Sequence, residues 1–263
     1  MGILSKYLCF YPFFSPRETR RFLHTIVKTI AELDVSARTI EAEKSKESIN
    51  SITLAELFPG IENQLVCIIP KAYPDEGGFT LYELILLCAI CRHINPQKIF
   101  EFGTFKGNTT LHLALNSPDT CEIFTLDLPP DVKEFTRYPV QIGPITDVLF
   151  TVGELYRGST VESKIRQLYG DSASFDYSEF YSSIDLVLID GNHYYQNVKS
   201  DSENAYRMLT SRGVIIWHDY TKLPEHVGVL KYLTELSKTM QLFKIRGTSF
   251  VIALPKSLGN HEF

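Results

Sequence analysis

Cysteine is sparse and irregular here: five residues, at positions 9, 67, 88, 91 and 121. An odd, scattered set of this kind excludes a disulfide framework. No apolar run has the length of a bilayer-crossing helix, which excludes a transmembrane span. An excess of basic residues is also missing. The formal net charge of -5 argues against broad nucleic-acid binding, which needs a positive surface for phosphates. The opening Met1 to Phe10 is apolar but short, is soon interrupted by Pro12 and Pro16, and lacks the cationic start and cleavage site of a secretion signal. Lys6 stands where a myristoylation signal wants Ser or Thr. There is no internal repeat and no low-complexity tract. These absences leave a cytoplasmic chain with a docked N-terminal arm, and an apolar arm of that kind fits a homodimer.

What is present is an ordinary globular composition, 44% hydrophobic and 22% charged over 263 residues. That is enough for one large α/β domain, placed at 77–263, preceded by a mostly helical extension, 1–76. Ser15-Pro16-Arg17-Glu18 is a helix start, with Ser as cap and Pro in the first turn, and Phe22, Ile26, Ile30 and Leu33 follow at helical spacing. Cys88 and Cys91 form a C-x-x-C. They lie inside the apolar helical run Leu81 to Cys91 without a second ligand pair, so packing is expected rather than metal binding.

From Thr80 the pattern is regular. A helix over about 80–93 leads to a strand at Lys98 to Phe102, a helix at Thr109 to Leu115 and a strand at Glu122 to Asp127. Strands are then expected at Lys164 to Leu168, Ile184 to Asp190 and Gly213 to Trp217, with helices at about 195–210 and 224–240. A hairpin, Gln241 to Ile245 with Ser249 to Leu254, closes the chain. Alternating strands and helices imply a Rossmann-like open, mostly parallel seven-stranded sheet, with helices on both faces and a C-terminal antiparallel hairpin. Residues 128–163, rich in proline and glycine, are long for a connection of this type and read as a lid or binding loop.

Ligands of such sheets bind beyond the carboxyl ends of the strands. The first strand ends in Glu101-Phe102-Gly103-Thr104-Phe105-Lys106-Gly107. Its Gly-x-x-x-Gly spacing is not the Gly-x-Gly-x-x-Gly of a pyrophosphate site. It suits a ligand with a carboxylate and no phosphate, such as S-adenosylmethionine, and Glu101 is placed to help orient the cationic end. Asp127, about 20 residues on, is a candidate ribose ligand. Asp171 and Ser172 after the third strand are candidates for the adenine, the alternative for Asp171 being a helix cap or turn former. Asp190, His193, His218 and Asp219 end the next two strands and converge on the same edge.

Ile189-Asp190-Gly191-Asn192-His193-Tyr194, with Val198, Asp201 and Gly213 to Asp219, resembles a class I methyltransferase family. That family includes relatives of macrocin O-methyltransferase and the cephalosporin-hydroxylase-like group. The resemblance covers about residues 78–254. It implies S-adenosylmethionine held at the first motif, with Glu101, Gly103, Thr104 and Gly107, and at Asp127 on the ribose, and O-methylation of a small-molecule acceptor. It also implies a divalent cation such as Mg²⁺ at Asp190 and Asp219. The acid usual next to Asp219 is replaced by His218, and histidine suits Mg²⁺ poorly.

Methyl transfer needs an aligned acceptor and a base for its proton. His193 is the preferred base, with Asp190 orienting it, and His218 is the second candidate. Two other readings remain. Tyr195 and Lys199 have the Tyr-x-x-x-Lys spacing of nicotinamide oxidoreductases, and a non-catalytic binding protein can keep the same fold. Phe135, Tyr138, Phe150 and Tyr156 are candidates for an acceptor pocket or for the core.

Overall fold

The computed structural model describes residues 8–9, 48–69, 78–129, 136–140 and 151–255. The helix expected after Ser15, and Phe135 and Phe150, lie outside the described residues. Ten strands are described: β1 Leu8–Cys9, β2 Asn50–Ile52, β3 Val66–Cys67, β4 Lys98–Phe102, β5 Glu122–Asp127, β6 Ile165–Tyr169, β7 Ile184–Ile189, β8 Leu209–Trp217, β9 Phe243–Ile245 and β10 Val251–Ala253. The helices are α1 Leu54–Leu57, α2 Leu81–Ile94, α3 Asn108–Asn116, α4 Tyr195–Met208 and α5 Val227–Leu236.

Eight strands form one sheet in the order β2-β9-β10-β8-β7-β4-β5-β6. β4 to β8 are parallel, and β10 runs antiparallel to both β8 and β9. The seven expected strands are all present. The eighth is β2, contributed by the segment before residue 77 and paired in parallel with β9. Three polar-flanked residues carry no period-2 signal, so β2 is specified by the edge it meets. The strand β7 shows why the centre was readable: all six residues of Ile184–Ile189 are buried, as a strand covered on both faces requires.

One face of the sheet packs on α2 and α3. There Leu84, Leu87, Cys88 and Cys91 meet Ile99, Ile123 and Leu188. Leu54, Phe58, Ile61, Val66 and Ile68 join this same cluster. The other face buries Phe100, Phe102, Val187, Ile215 and Trp217 against α4 and α5. Cys88 and Cys91 are fully buried, their thiols directed at the carbonyls of His112 and Leu113. Burial pushes both thiols up, so they stay protonated and serve as packing groups.

His112 is a second buried polar group with a structural task. Nδ1 donates to the Asn108 carbonyl at 2.8 Å, and Nε2 accepts from the Ile69 amide at 3.0 Å. The two partners fix one neutral tautomer. Burial lowers this imidazole to about 4.

Candidate active site

The sheet register sets the strand ends level. Phe102 pairs with Leu126 and Ile189, Leu126 with Leu168, and Ile189 with Trp217. The residues that follow therefore emerge side by side along one edge, which is where the sequence placed the site.

At the end of β4 the chain turns sharply. Gly103 has φ +90°, and a Cβ there would overlap the Asp190 carbonyl. Phe105 also sits at positive φ, +48°, a conformation that costs a side-chain-bearing residue free energy and needs support from its surroundings. Asp127 supplies it: Oδ2 accepts from the amides of Thr104 at 2.9 Å and Phe105 at 2.8 Å. Thr104 spends its hydroxyl inward on Thr125 and Gln167. Its part is thus to hold Asp127 and the turn.

Glu101 is completely buried. Oε2 accepts from the hydroxyls of Thr110 and Thr125, while Oε1 has no partner. Burial pushes the carboxyl up to about 8 against those two hydrogen bonds. α3 is preceded by its N-cap, Gly107, φ +82°, with no side-chain cap, which leaves its first amides for a ligand. Asn108 beside them is buried, with both side-chain polar atoms unpartnered.

Beyond β6, Asp171 accepts from the amides of Arg137 at 2.6 Å and Ala173 at 3.0 Å, which is the turn-forming role. Ser172 offers its carbonyl to the Tyr177 hydroxyl at 2.8 Å.

Beyond β7 and β8, four histidine and acid side chains meet a fifth that sequence reasoning missed. His193 Nε2 lies 2.9 Å from Asp219 Oδ2. His218 Nδ1 lies 2.9 Å from Asp190 Oδ1 and 3.2 Å from Asp219 Oδ2. The fifth is Glu83 of α2, with Oε2 at 3.7 Å from His218 Nε2 and Oε1 held by the Ser249 amide and hydroxyl. Its only sequence signal is the capping box it forms with Thr80, and nothing in that motif points to an ion pair.

The expected roles shift accordingly. The acid that orients His193 is Asp219, because Asp190 is spent on His218. His218 is not placed to be a base. It is 8% exposed, lies against the Phe79 ring at 4.1 Å and is surrounded by three carboxylates. Burial opposes its charge, but Asp190, Asp219 and Glu83 together raise it well above the ordinary imidazole range, so it is a held cation. Burial likewise works against ionisation of Glu83, yet His218, Ser249 and Thr80 bring that carboxyl down to about 2.

The Asp190 and Asp219 carboxylates converge on His218 Nδ1, and one ligand atom from each of the three lies within 4.8 Å of the other two. A set with one imidazole nitrogen among two carboxylates suits Mg²⁺ less well than the all-oxygen sets that hard cations prefer.

Tyr195 and Lys199 are committed elsewhere. The Tyr195 hydroxyl donates to Glu235 of α5 at 2.6 Å, and Lys199 faces Glu203. Tyr156, 2% exposed and bonded to Gln167, is core. Tyr138 lies against Arg137.

Residues 100–220 match the model of a family described as a methyltransferase domain. Two solved structures share the fold. Cofactor-bound Rv0187 from MTB is 17% identical, with a TM-score of 0.50, over 71% of this chain and 85% of that one. The O-methyltransferase TomG from Streptomyces achromogenes, in complex with SAM, is 16% identical, with a TM-score of 0.52, over 77% and 99%. An uncharacterized protein of Sinorhizobium fredii, y4gI, is 46% identical over 57 residues, 21% of this chain and 6% of that protein's length. Its strand order, its turn after β4 and the acids at its strand ends give the segment 100–220 the Rossmann-like fold of these solved structures, in keeping with the methyltransferase-domain model that it matches.

Proposed function

We propose that the chain is a cytoplasmic S-adenosylmethionine-dependent methyltransferase that acts on a hydroxyl of a small-molecule acceptor. One observation carries this: level strand ends set an acid-braced, ligand-open turn beside a histidine–aspartate pair. TomG, a solved protein of the same fold, is in complex with SAM.

The residues fit the group. The polar atoms left without partners at the turn, Glu101 Oε1 and the Asn108 amide, need a ligand to complete them. The open amides of α3 favour its carboxylate. Asp127 keeps lone pairs for ribose hydroxyls, and Ser172 stands at the adenine side. Thr104 and Asp171 act one step back, holding Asp127 and the loop. Bound there, S-adenosylmethionine supplies an electrophilic methyl group.

His193 is the base. His193 Nε2–H donates to Asp219 Oδ2 at 2.9 Å, so Nδ1 is left to accept the acceptor's proton, and Asp219 stabilises the imidazolium that forms. The buried ion pairs of His218 with Asp190 and Glu83 hold Asp219 in place from behind. Burial works against charge on Asp219, but His193 and His218 keep it ionised, well below the usual carboxylate range.

The test is release of S-adenosylhomocysteine from S-adenosylmethionine across a panel of catechols, sugars and alcohols. His193→Ala and Asp219→Asn are each expected to lower turnover about a hundredfold or more while product binding is retained. Full turnover in His193→Ala would refute the base.

A further inference from the structure

His226, which the methyl-transfer reading does not use, belongs to a cluster at the same edge. It ends a 3-10 turn, Pro224–His226, just ahead of α5. Nε2 lies 3.6 Å from Asp219 Oδ1, and the ring packs edge-on against His193 with centroids 4.6 Å apart. The opposite nitrogen, Nδ1, is fixed at 2.8 Å by the Thr221 hydroxyl. One ligand atom each from His193, Asp219 and His226 lies within 4.8 Å of the other two.

The backbone is built to make this approach. A Cβ on Gly228 would overlap the His193 carbonyl and the Tyr195 amide. Only a glycine lets the start of α5 close on the segment that carries His193. Asp219 adopts φ +62° to present its carboxylate, a left-handed conformation that aspartate tolerates better than most residues.

We propose that His193 Nε2, His226 Nε2 and Asp219 Oδ1 form a binding site for a divalent transition ion of borderline softness, such as Zn²⁺ or Co²⁺. Two imidazoles and one carboxylate select that class over Mg²⁺ or Ca²⁺, which prefer all-oxygen sets. Ligand atoms around a tetrahedral Zn²⁺ stand about 3.4 Å apart, close to the 3.6 Å between His226 Nε2 and Asp219 Oδ1, and the three groups lie within 4.8 Å of one another. The outer contacts are those of a metal site: Thr221 orients His226, and His218 holds the second Asp219 oxygen at 3.2 Å. Side-chain exposures of 26% for His193 and 13% for His226 leave a path for the ion. Three protein ligands keep one position open.

An ion on Nε2 obliges a neutral His193 ring to carry its proton on Nδ1. The atom assigned above as the base is then closed, and an occupied site inhibits methyl transfer. That consequence rests on the base assignment; the binding does not.

The experiment is titration of the chelator-treated full chain with Co²⁺, read by visible absorption, and with Zn²⁺ by calorimetry. S-adenosylhomocysteine binding is measured on the same preparation, so failure of the cofactor reading shows separately. One equivalent of Co²⁺ with a d–d spectrum and no thiolate band is expected. His226→Ala and His226→Gln should each weaken it at least tenfold with an unchanged melting temperature, and Mg²⁺ in large excess should not compete. No binding, affinity indifferent to both His226 variants, or a thiolate charge-transfer band would overturn the site.

Discussion

At the scale of single residues, this protein places ionisable side chains where water does not reach and tunes each with its neighbours. Glu101 is the clearest case. Its carboxyl, at 4.5 in ordinary surroundings, is pushed to about 8 by burial, so folding favours the protonated form. Its contribution is fully present below about 4.5 and is lost as pH rises from there through about 8, about 5 kcal/mol in all. Glu101→Gln, always neutral, should match the wild type near pH 4.5 and exceed it progressively toward pH 8.5 in urea denaturation. A wild-type curve that runs parallel to the variant over that range contradicts this assignment. Among the site residues, His193, Asp190, Asp219 and Asp127 were readable, because each follows an apolar strand run. Their pairing was not. Which acid meets which histidine depends on side-chain direction across neighbouring strand ends, and Glu83 reaches the site from 135 positions before His218 with no motif to announce it.

At the scale of elements, long-range ties hold short pieces in register. His112 on α3 anchors the Ile69 amide, and burial lowers it from 6.5 to about 4. The folded state therefore resists protonation: the His112 contribution is complete above about 6.5 and is lost as pH falls toward 4, by about 3 kcal/mol. His112→Phe should remove that acid sensitivity. It should also cost about 1–3 kcal/mol at pH 7.5 by leaving the Ile69 amide without an acceptor. A guanidinium series at pH 4.5 and 7.5 on both proteins reads this directly. Gly228→Ala is expected to push the start of α5 off the His193 segment and to abolish Co²⁺ binding, while S-adenosylhomocysteine binding, made by other strand ends, survives. Helices and strands with several apolar residues in period were legible to within a few positions. The strand β2 was not, since Asn50–Ile52 takes its structure from β9 rather than from its own pattern.

At the scale of the molecule, the sheet order β6-β5-β4-β7-β8-β10-β9 brings five parallel strand ends to one edge, and the architecture was readable because alternation of strand and helix leaves few other topologies. The segment before residue 77 enters the same core through Leu54, Phe58, Ile61, Val66 and Ile68. Removal of residues 1–69 should therefore leave a chain that fails to melt cooperatively in calorimetry; an intact, cooperative transition would show the extension to be dispensable for the fold.

The claim on which the rest depends is that the turn after β4 and Asp127 hold S-adenosylmethionine. Calorimetric titration of the purified protein with S-adenosylhomocysteine, repeated on Asp127→Ala and with NADH, tests it most directly. Micromolar binding that Asp127→Ala weakens tenfold or more, about 1.4 kcal/mol, is the predicted result. Absence of binding, or tight binding of NADH in its place, would contradict it.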